Sequence, residues 1–340
     1  MKIAVYGAGS MGTIMGALLA KAGYDVTLID INKEHVDALN ENGAKIIGYL
    51  DFVQPVKAAL PDEVTDTFDY VIYQTKPTQN ETSLPNVARI LKPDGVVIVG
   101  QNGMPEEAVA EVIGADRVVG CIIGWGATWM EPGVSKLTSP PDLMDYHLAE
   151  IHNEETDRLR EIVEIMSAAG QAHIIPDLQG GRFSKLIVNC SFSTTGAVVN
   201  GTFGDVIDNP KGIRCAAHIY NETMSIANAA NFQLVPPLEG FDFNALTFKS
   251  NEEMEELIPV FQFMVSGHRD ILTQILFDIA AGRYPEIDTT YNGVITRLGL
   301  KHGVPTPVND QVAAVIHKMA VGELVPDSSN IDLIILPDLS

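Results

Sequence analysis

The sequence predicts an α/β chain in which an N-terminal doubly wound parallel sheet is followed by an all-helical C-terminal domain. Three observations carry that reading. Short apolar runs such as Lys2–Tyr6, Tyr70–Thr75 and Gly95–Gly100 are bounded by turn residues, as buried parallel strands are. The first run passes directly into a glycine turn and an alanine-rich helix. From about Leu178 onward strand periodicity gives way to long helical segments, which sets the expected domains at 1–177 and 178–340.

Lys2–Tyr6 is followed by Gly7-Ala8-Gly9-Ser10-Met11-Gly12 and a helix from about Met11 to Ala22, the strand, turn and helix of a Rossmann-type dinucleotide site. Gly7 permits the tight turn, Gly9 lets backbone approach a pyrophosphate, and Gly12 lets helix and strand sit close. Ser10 and Met11 lie at the helix N-terminus, which faces the anion. The second strand, Asp25–Asp30, ends in an acid about 20 residues beyond that turn. Asp30 is expected to accept from the ribose hydroxyls and to repel the extra phosphate of NADP, so NAD is the expected cofactor. Lys33 is the only cation nearby. Alternatively Asp30 caps the next helix, a role that Asn32 fills equally well.

A chain of 340 residues with 46% hydrophobic composition supports two cored domains. Its 44 acidic and 22 basic residues give a net charge of -22, which argues against a nucleic acid partner or an anionic membrane surface. Cys121, Cys190 and Cys215 lack metal-ligand spacing, so reduced thiols and no metal are expected. The run ending near Ala22 contains the glycine fingerprint and is not read as a secretory signal. No apolar stretch reaches about 20 residues, so a soluble, cytoplasmic protein is expected.

Along the chain, helices are expected at Lys33–Asn42, Glu81–Leu91 and Glu154–Ala169, and strands at Lys45–Leu50, Phe52–Leu60, Arg117–Ile123 and Ala172–Ile175. Turns and strands occupy Gly124–Ser139. In the second domain the expected helices are Gly181–Asn200, Gly212–Asn231, Glu252–Ala281 with a break near Pro259, Tyr291–His302 and Asn309–Val321. Pro236–Ser250 reads as a loop and Ile331–Leu336 as a terminal strand or arm.

Polar residues stand out in four places. Lys76 and Asn102 each follow a buried strand, where ligands of open α/β sheets bind. Lys185, Asn189 and Ser193 recur every four residues on one helix face among Leu186, Ile187, Val188 and Phe192. Such a stripe is either the lining of a site or the solvent side of an amphipathic helix. Glu286, in Tyr284-Pro285-Glu286-Ile287-Asp288, is either functional or a carboxylate favourable to a helix N-terminus.

These residues resemble the ketopantoate reductases (2-dehydropantoate 2-reductases) within the 6-phosphogluconate-dehydrogenase-like group. The resemblance runs through nearly the whole chain, over Gly7–Gly12, Lys76, Gln101-Asn102-Gly103-Met104, the Lys185–Asn189 spacing, Glu286-Ile287-Asp288 with Asn292-Gly293, and His302–Asn309. It implies Lys185 as general acid, Glu286 as a residue that holds the substrate, and Lys76 and Asn102 as lining for cofactor and substrate. Asn189 and Ser193 would add substrate contacts. Departures are Asp30 where the family carries a basic residue, Gln274 in the place of its substrate-binding serine, and Pro285 for its usual threonine.

The chemistry agrees with that implication. Hydride delivery to a ketone builds charge on the carbonyl oxygen, which a lysine stabilises and then protonates. The expected activity is NAD(P)H-dependent reduction of a small anionic 2-oxo acid, ketopantoate first and NADH favoured, in a pantothenate-forming role. Another 2-oxo acid, an opine-type imine, or a noncatalytic NAD-binding role remain as alternatives. A homodimer is the expected assembly.

Overall fold

The computed structural model of the chain describes residues 1–236 and 240–340. Pro237, within the loop expected at Pro236–Ser250, lies outside the described residues together with Leu238 and Glu239. Two compact units emerge, Met1–Leu178 and Gln179–Ser340.

The first unit runs β1 (Lys2–Tyr6), α1 (Ser10–Lys21), β2 (Asp25–Ile29), α2 (Lys33–Asn42), β3 (Ala44–Gly48), β4 (Phe52–Gln54), β5 (Lys57–Ala59), β6 (Phe68–Tyr73), α3 (Asn80–Ile90), β7 (Leu91–Val99), α4 (Glu106–Ile113), β8 (Val118–Ile123), β9 (Ala127–Glu131), β10 (Val134–Leu137), β11 (Asp145–Glu150), α5 (Asp157–Ser167) and β12 (Gln171–Ile174). Among the described residues, one sheet of eight strands has the order β12-β11-β8-β7-β6-β1-β2-β5. Strands β5, β2, β1, β6, β7 and β8 are parallel, and β11 turns antiparallel to β8. The two-residue period of each strand divides the core between the faces. Ile3, Val5, Ile72 and Ile98 pack with Ile14 and Met15 of α1 and Ile162 of α5. Ala4, Tyr6, Val71, Tyr73 and Val97 pack with Leu84 and Val87 of α3 and Val109 of α4.

A smaller sheet, β4-β3-β10-β9, joins the first of these cores through Ala44, Ile46 and Leu137. The stretch expected as one strand over Phe52–Leu60 is two. Pro55, which has no N–H to give a ladder, separates β4 of the small sheet from β5 at the edge of the large one.

The second unit is helical: α6 (Leu178–Val188), α7 (Thr194–Val198), α8 (Phe203–Asp208), α9 (Pro210–Ala230), α10 (Asn251–Met264), α11 (Gln274–Ala280), α12 (Ile287–Thr290), α13 (Asn292–His302) and α14 (Pro307–Ala320). Its axis is α9, 21 residues long, capped by Asn209 and closed by Asn231 in the left-handed region at φ 55°. Glu222 of α9 accepts from the N–H groups of Val308 and Asn309 at 2.9 and 3.0 Å and from Asn309 Nδ2 at 2.7 Å, so it binds the start of α14. Burial pushes its carboxyl pKa up against the lowering effect of those donors.

Three further expectations, all in the second unit, need correction. The helix over Glu252–Ala281 runs through Pro259 and breaks at residues 265–273, around the tight turn Ser266–His268. A single proline removes one hydrogen bond, which that helix tolerates, whereas Gly267 lies within the turn where it ends. The helix over Gly181–Asn200 is interrupted by a π-helical segment, Asn189–Ser193, between α6 and α7. Ile331–Leu336 is not a strand: Ser328–Leu333 is a 3-10 turn, and Gln311 holds Ile335 through both its N–H and its carbonyl.

His218 of α9 is 4% exposed and packs edge-on against Phe248, with ring centroids 5.4 Å apart. Burial lowers its pKa from 6.5 to about 4, so the unfolded chain takes up a proton at a pH where the folded one does not. Its neutral packing supports stability fully above pH 6.5, and that support is lost as pH falls toward 4. Thermal melts of His218→Leu between pH 7 and 5 should show a smaller fall in Tm than the parent; an equal fall refutes this account.

Candidate active site

Because β1, β2, β6 and β7 are parallel, the segments after their C-terminal ends share one edge of the large sheet. The sequence-predicted residues of the first unit, Gly7 to Gly12, Asp30, Lys76 and Asn102, all fall there. Gly7 has φ +98°, a conformation glycine adopts without strain, and the N–H groups of Gly7 and Ala8 both donate to Ile29 O, at 2.8 and 3.1 Å. Gly12 brings α1 against the turn so tightly that a Cβ there would lie 2.3 Å from Gly7 O. Gly9 is the N-cap of α1, no side chain caps that end, and the first turn carries no acid. A Cβ on Gly9 would meet nothing within 4 Å. The turn therefore offers an open backbone surface and the positive end of a helix, including Ser10 and Met11, to an anion, and it fits a dinucleotide pyrophosphate.

At the end of β2, Asp30 Oδ1 accepts from Asn32 N–H at 2.9 Å, and Asn32 in turn accepts from His35 N–H at 3.2 Å as the cap of α2. The capping role thus belongs to Asn32. After β6, half-buried Lys76 begins the 3-10 turn Pro77–Gln79, its carbonyl accepting from Gln79 N–H at 2.9 Å. After β7, Asn102 is exposed beside Gly103 at φ +80°. Gln101, to which the sequence gives no role of its own, joins these two loops. Its Nε2 donates to Thr75 O at 2.9 Å and to Asn80 Oδ1 at 2.8 Å, and the Tyr73 hydroxyl donates to Asn80 Oδ1 at 2.9 Å. A polar side chain directly after a buried strand is the signal for it.

In the second unit, Lys185, Asn189 and Ser193 are each half-buried, while Leu186, Ile187, Cys190, Ser191 and Phe192 are buried around them. That burial is not the exposure of an ordinary solvent face. Asn189 and Ser193 open and close the π segment, a local widening that recurs at functional sites. Burial drives the Cys190 thiol pKa far up and the Cys215 thiol to about 12, so neither is a nucleophile.

Glu286 is 8% exposed at the N-cap position of α12, yet its side chain makes no capping bond; Thr290 Oγ1 approaches it at 3.5 Å. Its position agrees with a carboxylate favourable to a helix N-terminus, and it is buried there. Burial pushes the Tyr291 phenol up in pKa, with smaller raising contributions from Glu286, Cys190 and Asp278. Gln274 is exposed at the start of α11, and its Nε2 reaches Asp278 Oδ1 at 3.4 Å. Arg283 donates to the same oxygen from Nε at 3.0 Å and Nη2 at 2.8 Å. Asp278 is a second supporting residue that the sequence leaves without a role.

Two family models, Ketopantoate reductase PanE/ApbA over residues 3–146 and its C-terminal counterpart over 177–320, match this chain. The chain belongs to the ketopantoate reductase family. It is therefore an oxidoreductase that works with a nicotinamide cofactor. A 2-dehydropantoate 2-reductase of Pyrococcus horikoshii is 29% identical, the alignment covering 93% of this chain and 96% of that one. A D-mandelate dehydrogenase structure with NADH and anilino(oxo)acetate is 25% identical with a TM-score of 0.79, covering 95% of this chain and 99% of that chain. A PanE/ApbA family ketopantoate reductase from Ralstonia eutropha shares the fold at a TM-score of 0.80 and 20% identity, over 95% of this chain and 99% of that chain. No helix among the described residues is long and apolar enough to cross a membrane.

The two glycines should separate in their effects. Gly12→Ala must displace the Gly7 carbonyl and lower stability by about 1–3 kcal/mol. Gly9→Ala should leave Tm unchanged and weaken NADH binding, because its methyl enters the space in front of the turn. Calorimetry and cofactor titration of both variants check this; a destabilised Gly9→Ala with intact binding contradicts it.

Proposed function

We propose that this chain is an NADH-preferring reductase of a small anionic 2-oxo acid, with ketopantoate to pantoate as the leading reaction. The observation that carries the reading is the half-buried stripe of Lys185, Asn189 and Ser193 in a chain of this family. Bound NADH supplies the hydride. Lys185 stabilises the charge that grows on the substrate carbonyl oxygen and gives it the proton that completes the alcohol. Asn102 and Asn189 donate to carboxylate or carbonyl oxygens, Ser193 adds a hydroxyl, and Glu286 accepts from a substrate hydroxyl or orients the lysine. Lys76 lends positive charge at the cofactor-binding edge of the sheet. Asp30, half-buried and with Oδ2 outside its bond to Asn32, accepts from the adenosine ribose and disfavours a 2′-phosphate.

A bulkier 2-oxo acid is the second reading. Gln274 stands where the family's serine is expected, and the exposed Ile271, Leu272 and Phe277 flank it. The D-mandelate dehydrogenase relative, described with NADH and anilino(oxo)acetate, supports both that substrate class and the cofactor preference.

Purified protein should oxidise NADH faster than NADPH when given ketopantoate. A higher rate with 2-oxo-2-phenylacetate moves the substrate to the second reading, and no turnover with any 2-oxo acid despite NADH binding refutes both. Lys185→Ala should lower kcat by about 10²–10⁴ while the protein stays folded; intact turnover refutes the assigned acid. Asp30→Arg should shift the ratio of kcat/KM values toward NADPH, and an unchanged ratio removes Asp30 from cofactor selection.

A further inference from the structure

His35 is the one residue of α2 whose ring reaches under the glycine turn, and it is 1% exposed. Gly133 N–H donates to its Nδ1 at 2.9 Å, so that nitrogen carries no proton. The neutral imidazole then has its hydrogen on Nε2, which lies 2.7 Å from Ala8 O and donates to it. Thr13 Oγ1 donates to the same carbonyl at 2.7 Å and lies 3.1 Å from His35 Nε2. Gly133 is fixed in turn: it forms the β9–β10 turn at φ +79°, its carbonyl accepts from Lys45 N–H at 2.8 Å, and a Cβ on it would approach Ala38 Cβ to 3.2 Å.

We infer that His35 is a positioning residue for the cofactor loop: by holding the Ala8 carbonyl inward, it aims the Gly9 N–H outward at the dinucleotide pyrophosphate. The step rests on peptide geometry. Ala8 C=O and Gly9 N–H belong to one trans peptide plane and point in opposite directions, so fixing one fixes the other. Ala8 is fully buried, whereas the space in front of Gly9 is open, and the two sides of that plane therefore have the character the inference needs. Two donors on one carbonyl hold the plane against rotation. The β9–β10 turn acts through the same ring, since the Gly133 N–H selects the tautomer that donates to Ala8. Preorganised donors of this kind gain affinity because no reorientation is left for the moment of binding.

This inference rests on the glycine turn being the dinucleotide site. NADH titration of the full chain, His35→Leu and His35→Gln, each with a thermal melt and steady-state kinetics, tests it. His35→Leu should raise the Kd and KM for NADH about tenfold with kcat at saturating cofactor retained. His35→Gln, whose amide both donates and accepts, should recover most of that loss. ADP as competitor should weaken in parallel, whereas adenosine, which has no phosphate, should not. A folded His35→Leu that binds NADH as the parent does, or that loses ADP and adenosine equally, overturns the role of His35. If His35→Leu fails to fold, Thr13→Val removes the other donor to Ala8 and should weaken NADH about threefold; unchanged affinity overturns the inference. A parent protein that binds neither NADH nor NADPH refutes the reading of the glycine turn itself.

Discussion

Gly12 holds α1 so close to β1 that its Cα looks directly at the Gly7 carbonyl. From that contact follow the direction of α1, the placement of its N-terminus at the sheet edge, and the need for a turn whose Gly7 and Ala8 N–H groups are spent on Ile29. Helix packing of this tightness leaves little freedom elsewhere. Ile14 and Met15 must face the sheet, and Ala44, Ile46 and Leu137 of the small sheet complete the same core. The charge on the chain acts in the opposite sense. With a net charge of -22, attraction for an anionic ligand has to come from local N–H groups and a few lysines.

The second unit solves a different problem, which is to hold the carboxylates of Glu222 and Asp278 within its helical packing. Glu222 is held by three N–H donors at the start of α14, and Asp278 by Arg283 and Gln274. The segment before Gln274 is pinned from the other side, since the N–H groups of Phe203 and Gly204 donate to Ile271 O and Arg269 O at 3.0 and 2.9 Å. Gln274 therefore stands on a tethered start of a short helix, a setting in which its length rather than its mobility shapes what lies beside it.

Much of this architecture was legible in the residues, and the exceptions have physical causes. The strands β1, β6 and β8 and the turn at Gly7 to Gly12 announce themselves by continuous apolar runs and by glycine spacing. Strand β11 does not, because Asp145-Tyr-His-Leu-Ala-Glu150 carries polar residues and gains its identity by pairing antiparallel with β8 and parallel with β12. Helix α4 is eight residues long and too short for its period to stand out between Gly103 and Gly114. Pro259 overstated a break that the chain places later. At the site, the residues that carry polar atoms after strands were readable one by one. Gln101 carries that same signal, whereas the support given by Asp278 does not, since its worth depends on a partner, Arg283, that only the fold brings near.

The π segment at Asn189–Ser193 has a consequence for the phase of the polypeptide. A residue in an α-helix advances the azimuth by about 100°, so each count along the chain sets a heading as well as a rise. A turn of the π segment, with its i→i+5 bonds, takes about one residue more than an α turn, so removing one residue from it restores an unbroken α-helix and leaves the two halves at nearly the same bearing, whereas the same removal within α6 swings them by about 100°. The π segment is thus a stretch where a single-codon deletion would spare the bearing of Lys185 relative to α7 and would take away instead the widened turn that Asn189 and Ser193 open and close.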